Sequence, residues 1–223
     1  MDVYLTIDLN IQMILDSVIN NAIAQYNPDQ VMGLVVSTKT GEVLAMTSYP
    51  YFEPSHYQDY DPSVYNRNLP IFYSFELGST FKIFTYSVAL ELGLIDMNDF
   101  FYCSGSTTVA DRKIKCWKSG GHGSQTFLEV VQNSCNPGFV ELGQRLGKET
   151  LFEYINKFGF GKKTGIDLNG EASGILFNLN KVGPVELATT SFGQRFEISP
   201  LHLATAVSAI CNDGVLVEPR IVE

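Results

Sequence analysis

The chain has 223 residues, 45% hydrophobic and 17% charged, a globular balance long enough to bury a substantial core in one large domain or two small ones. Fifteen basic against 24 acidic side chains leave a net charge of −9 with no basic run, which argues against nucleic acid and against a basic membrane-hugging face. No stretch of 18 apolar residues occurs, so nothing is expected to span a bilayer, and Met1-Asp2 leads into Val3-Tyr4-Leu5-Thr6-Ile7-Asp8 without the basic start of a signal peptide.

Leu9 to Tyr26 carries Ile11, Ile14, Leu15, Val18, Ile19, Ala22 and Ile23 at helical spacing, with Asp8 as N-cap and Pro28 closing the segment. Two apolar runs, residues 31–36 and 43–46, flank a turn at Lys39-Thr40-Gly41 and predict a buried hairpin. Tyr49 to Tyr73, rich in Pro, Tyr, Asp and Asn, predicts a long ordered loop or cleft wall. From Ser79 to Gly93 the pattern is helical and apolar on every side, the mark of a buried helix. Further helices are expected at Thr126–Ser134, Gly138–Leu146, Lys148–Phe158 and Pro200–Asn212, with Gly147, Gly159, Gly161 and Gly214 punctuating their ends. These elements make a helix-rich α+β domain with one early hairpin of a sheet.

Chemistry concentrates in two strings. Glu76-Leu77-Gly78-Ser79-Thr80-Phe81-Lys82 puts a serine at a helix start and a lysine one turn on, sharing a face. Burial in an apolar helix would lower the lysine pKa and let it act as a base. Alone the spacing is weak, since a surface i,i+3 pair looks the same. The second string, Asn133-Ser134-Cys135-Asn136-Pro137-Gly138, allows Ser134 and Asn136 to face one cleft; it also reads as an ordinary helix-ending turn.

S-x-x-K followed roughly 50 residues later by S-x-N is the ordered pair of serine penicillin-recognising enzymes. Arg67 in Tyr65-Asn66-Arg67, Phe158-Gly159-Phe160-Gly161 with residues 164–168, and Ser191-Phe192-Gly193-Gln194 also occur in the order seen in class B penicillin-binding proteins. Over essentially its whole length the chain resembles their transpeptidase domain, in its division and spore-cortex form. The resemblance implies D,D-transpeptidation of peptidoglycan stem peptides. Ser79 would be the acylated nucleophile, Lys82 its base, Ser134 a proton relay and Asn136 a substrate clamp. β-Lactams would be covalent ligands and a glycan polymerase a partner. It implies an α+β penicillin-binding-protein transpeptidase fold, here a helix-rich subdomain plus the first hairpin of an antiparallel sheet whose remaining strands are missing. Residues 1–223 would be a partial domain without its membrane anchor, working at the extracytoplasmic face of the membrane, inactive alone and aggregation-prone.

Two departures stand against that pattern. Lys39-Thr40-Gly41 and Lys163-Thr164-Gly165 are both read as decoys for the family's third motif, one preceding the nucleophile and one in a conformational loop. The second oxyanion donor would be lost with that motif, and one such donor typically contributes ~10²–10³ in rate. Arg195 stands where the family has glycine after S-F-G-Q.

Cys103, Cys116, His122 and Cys135 complete a tetrahedral zinc set, structural because all four positions are protein ligands, with Asp111 in reserve. The resemblance to a family with some zinc-binding members strengthens that expectation. Buried free thiols or a Cys103–Cys116 disulfide remain alternatives. Cys211 is expected in the core, His202 on a helix surface and His56 in the cleft wall; Trp117 either shields the metal loop or fills core. Two rival functions stay open: a β-lactamase or β-lactam sensor, needing a water-activating carboxylate such as Glu141 or Glu171, and a non-catalytic cell-wall binding module.

Overall fold

The structure, a computed structural model, describes residues 2–223. Its helices are α1 (Leu9–Tyr26), α2 (Pro62–Tyr65), α3 (Leu69–Phe72), α4 (Lys82–Glu91), α5 (Phe127–Gln132), α6 (Asn136–Lys157), α7 (Pro184–Thr190) and α8 (Pro200–Cys211). The strands used below are β1 (Val31–Val36), β2 (Val43–Tyr49), β3 (Phe100–Cys103), β4 (Ser106–Val109), β5 (Arg112–Lys115) and β6 (Gly123–Thr126). They divide between two compact units, one made of residues up to 75, 158–174 and 198–223, the other of 76–157 and 175–197.

In the first unit, Asp8 caps α1 by accepting the backbone N–H groups of Asn10 and Ile11, as the sequence predicts. β1 and β2 pair antiparallel from Val31↔Tyr49 to Val36↔Val43, with an irregularity at Val35/Val36. α1 packs on both strands, and Gln12 pins it by bonding both the N–H (2.9 Å) and the carbonyl (3.2 Å) of Met46. Val43, Ile71, Ile166 and Leu201 form the core. Residues 220–222 run beside β2, with Val43 N–H bonded to Arg220 O, and the Asp167 carboxylate accepts the N–H groups of Ile221 and Val222. Among the described residues no strand pairs with the outer edge of β1.

The segment read as a loop from Tyr49 to Tyr73 contains single helical turns. Asp61 with Pro62, and Asn68 ahead of Pro70, are cap-and-proline starts that periodicity over so few residues does not reveal. Two expectations fail on α8. Its buried face carries Leu201, His202, Thr205, Ala206, Ser208 and Ala209. Cys211 lies about 200° round from Ala209 and is exposed instead of core. His202, expected on the surface, is 2% exposed. Its Nε2 meets the carbonyl of Lys162, which only accepts, so Nε2 carries the proton and Nδ1 accepts from Ser199 Oγ at 2.7 Å.

In the second unit, a 3₁₀ turn at Gly78–Phe81 leads into α4, whose buried residues Phe84, Thr85, Val88 and Ala89 make it the buried helix expected. Phe127, Val130, Phe139, Val140 and Leu142 of α5 and α6 join Cys103, Cys116 and Cys135 in one core. α6 runs through the two predicted helices, which are separated only by a break at Gly147, where φ is 72°. The Ser104–Lys115 segment, whose polar and glycine-bearing sequence reads as a loop, contains the paired strands β4 and β5, and β3 pairs with β6; the Trp117–His122 segment, read the same way, has no strand. Each strand has four residues and buries at most one side chain, Cys103 in β3, Val109 in β4, none in β5 and Gln125 in β6, instead of an alternating apolar row, so the usual signal is absent.

Candidate active site

Ser79 sits in the 3₁₀ turn and is exposed, with Gly78 at φ +55° ahead of it. Its carbonyl accepts the Lys82 N–H, while its hydroxyl has no hydrogen-bond partner among the described residues. Lys82, at the start of α4, is 3% exposed. Its Nζ donates to Ser134 O at 3.0 Å, Ser134 Oγ at 2.8 Å and Asn136 Oδ1 at 2.7 Å, and lies 5.3 Å from the Phe139 ring centroid. Burial lowers the Lys82 pKa to about 8, against the opposing pull of the Cys135 and Cys116 sulfurs. The structure therefore joins the Lys82 ammonium to Ser134 and Asn136 directly, while the Ser79 hydroxyl stands one turn away without a bond to that ammonium.

The Ser134 loop lies between the end of α5 at Gln132 and the start of α6 at Asn136, with Pro137 placed in the first turn of α6 where its missing N–H costs nothing. A Thr126–Glu129 capping box fixes the start of α5. Ser134 adopts a left-handed φ of 48°, uncommon for a non-glycine residue, and its N–H bonds Val131 O at 2.9 Å while that of Cys135 bonds Val130 O at 3.0 Å. Side chains complete the hold. Asn133 Nδ2 donates to Gln125 Oε1 (3.0 Å), Trp117 Nε1 donates to Asn133 O (2.8 Å), and Asn136 Nδ2 reaches Lys115 O (3.5 Å). Gln125, Asn133 and Trp117 tie this loop without a sequence signal, because a single polar side chain does not reveal its partner in the chain.

Behind the loop, Cys103, Cys116, His122 and Cys135 present four ligand atoms within 4.8 Å of one another. The three sulfurs are buried, and Cys116 Sγ lies 3.4 Å from His122 Nδ1. His122 Nε2 is buried without a partner, and the Trp117 ring meets the imidazole edge-on at 5.5 Å. Burial pushes the Cys135 thiol up to about 12. Burial acts the same way on Cys103, but N–H donors at His122 and Gly105 hold that thiol below its ordinary value. No disulfide joins these residues, and Asp111 is exposed in the β4–β5 turn beside Arg112, away from the cluster. Three thiols and an imidazole brought this close are a donor set of the kind that suits a tetrahedral zinc ion.

The remaining candidates have local partners. Lys39-Thr40-Gly41 is the hairpin turn, where Thr40 bonds Ser37 and Glu42, and Lys163-Thr164-Gly165 is irregular, with Thr164 bonded through N–H and hydroxyl to Glu171. Neither lies on a strand. Glu141 is paired with Arg145 at 2.9 Å, so both carboxylates weighed for activating water are engaged. Arg67 stacks over Phe72 at 5.1 Å, and His56 is exposed beside Ser55.

Residues 31–223 match the penicillin binding protein transpeptidase domain. The chain is 54% identical over 222 residues to stage V sporulation protein D of Bacillus subtilis (strain 168), covering 99% of this chain and 34% of that protein. It is 31% identical to the peptidoglycan D,D-transpeptidase FtsI homolog of Mesostigma viride, covering 98% and 38%. Among solved structures, penicillin binding protein 3 of the tubercle Mycobacterium complexed with ampicillin aligns with a TM-score of 0.92 at 31% identity, covering 99% of this chain and 49% of that one. The chain thus spans about a third of the length of the curated relatives it matches.

Proposed function

The chain belongs to the penicillin-binding-protein transpeptidase family, and on that premise we propose that it carries the acylating residues of a serine D,D-transpeptidase acting on peptidoglycan stem peptides. The observation that carries this reading is the three-way bond from buried Lys82 to Ser134 and Asn136, one helical turn after an exposed serine.

The protonation chemistry follows from that bond set. An ammonium has three hydrogens, and Lys82 has three acceptors for them. With a pKa of about 8, about one lysine in ten is neutral at pH 7. When a proton leaves, Ser134 O and Asn136 Oδ1 can only go on accepting. Ser134 Oγ alone can reverse and donate to the lysine lone pair. Lys82 then receives the Ser79 hydroxyl proton as Ser79 Oγ attacks the carbonyl carbon between the two terminal D-alanines. The Ser134 hydroxyl passes a proton to the departing D-alanine amine and takes in its place the proton that Lys82 received from Ser79. An amine from a neighbouring strand resolves the ester, returning Ser79 to its hydroxyl form; a β-lactam has no leaving group that departs, so its ester persists.

The zinc expectation is carried forward in the same proposal. Cys103, Cys116, His122 and Cys135 would hold the ion, with no Asp111 contribution, and its role would be structural, fixing the loop through Cys135 between Ser134 and Asn136. The likeness to a sporulation protein favours a sporulation role over a division role. Anchoring at the outer membrane face and pairing with a glycan polymerase would fall to regions outside these residues; among the described residues no helix is long and apolar enough to cross a membrane.

The test is labelling of the full-length protein with a fluorescent penicillin, followed by peptide mass mapping. One adduct on Ser79 is expected, with none on a Ser79→Ala variant. An adduct on another residue, or no adduct, would refute the assignment.

A further inference from the structure

Ser79 is held from both sides by one turn. Gly78 N–H, just before it, bonds Gly193 O at 2.7 Å, and the ring of Phe81, two residues after it, packs edge-on against Phe196 at 4.8 Å. Gly193 sits so close that an added Cβ would meet the Gly78 carbonyl and stand 2.8 Å from Phe81 Cβ. Further along α4, Thr85 Oγ1 donates to Ser191 O at 2.8 Å. The 191–196 segment is a cradle for the nucleophile.

Arg195 is the unusual member of that cradle. Its φ is 72°, a left-handed conformation that glycine adopts freely and arginine only under constraint. Its two donors reach two carboxylates. The backbone N–H bonds Glu76 Oε1 at 2.7 Å, three residues before Ser79, and the guanidinium Nη1 bonds Glu186 Oε1 at 2.9 Å. Glu186 is itself fixed, because its other oxygen accepts the Gly183 N–H at the start of α7. A half-exposed ion pair contributes little stability by itself. A side chain kept in a strained backbone for so small a return points to geometry as its purpose.

We propose that Arg195 is a positioning residue: it ties the Glu76–Gly78 entry of the nucleophile turn to α7 and so sets where Ser79 Oγ lies when acylation begins. The proposal rests on the acyl-transfer reading above.

Acylation of the full-length protein by a fluorescent penicillin, resolved into the binding constant K and the acylation rate constant k2, tests it together with thermal melting. Arg195→Gly suits the left-handed backbone, so the fold should survive with its melting temperature unchanged or raised. Its k2 should fall about tenfold or more, because small displacements of a reacting atom are costly, while K stays within about twofold. Arg195→Lys should restore most of k2. Glu186→Gln should lower k2 alone, but add nothing to Arg195→Gly, because the two residues share one interaction. An unchanged k2 in Arg195→Gly, a change confined to K, or a loss that follows the melting temperature would overturn the proposal. If the unaltered protein is not labelled on Ser79, the acyl-transfer reading itself fails, which is a separate result.

Discussion

The two segments that carry the reactive groups are held by opposite means. The Ser79 turn is gripped by ordinary packing and hydrogen bonds, from Gly193, Arg195 and Phe196. The Ser134–Asn136 loop leans on a cluster of three sulfurs and an imidazole, with Cys135 placed between its two polar residues. Lys82 belongs by sequence to the first segment and by hydrogen bonding to the second. The difference teaches that the serine can be disturbed through folding contacts alone, whereas the lysine's environment depends on the state of the sulfur cluster.

The strongest test of that division removes the groups themselves. Ser79→Ala should abolish penicillin labelling while leaving the cysteine cluster able to take up zinc, read by elemental analysis. Lys82→Ala should retain Ser79 but lower the acylation rate ~10²–10⁴-fold, the usual worth of a positioned acid–base group, measured by rapid quench. Next in size is pH. With the neutral lysine as the proposed base, acylation should rise as pH passes upward through about 8 and level off above it. At pH 6 the rate should lie about a hundredfold below that plateau, as two units of protonation require; a flat profile from pH 6 to 9 would exclude Lys82 as base.

A smaller effect should come from the cluster. Cys135→Ser, or treatment with a strong chelator, should strip the metal and lower acylation about 10–100-fold. Amide exchange should quicken over residues 130–138 and stay unchanged over 76–81 if the two supports are independent. Smallest is Trp117→Phe, which deletes the hydrogen bond to Asn133 O. A loss of about 1 kcal/mol is expected in thermal unfolding, with only a few-fold change in acylation.

What the sequence disclosed followed from local rules. Asp8, Pro28 and the spacing of seven apolar residues mark α1, and the Gly41 turn marks the hairpin. The S-x-x-K and S-x-N strings were legible because their order, not their spacing alone, is distinctive. Cys103, Cys116, His122 and Cys135 were legible as a set by residue type, and their side chains do converge. What stayed hidden depends on partners distant in the chain. The four-residue strands between 100 and 126 have too few positions to show alternation. Placing His202 inside and Cys211 outside required knowing which face of α8 meets the hairpin. The bond from Lys82 to Ser134 links residues 52 positions apart, and a helical pattern places that lysine near Ser79 instead.

Trp117 is the only tryptophan in the chain. Its ring touches His122, its N–H holds Asn133, and 67% of it faces solvent. All indole emission from residues 1–223 therefore originates at the junction of the sulfur cluster and the Ser134 loop. Excitation at the red edge of absorption would report metal uptake and acylation in real time from one native chromophore, without a label to perturb either.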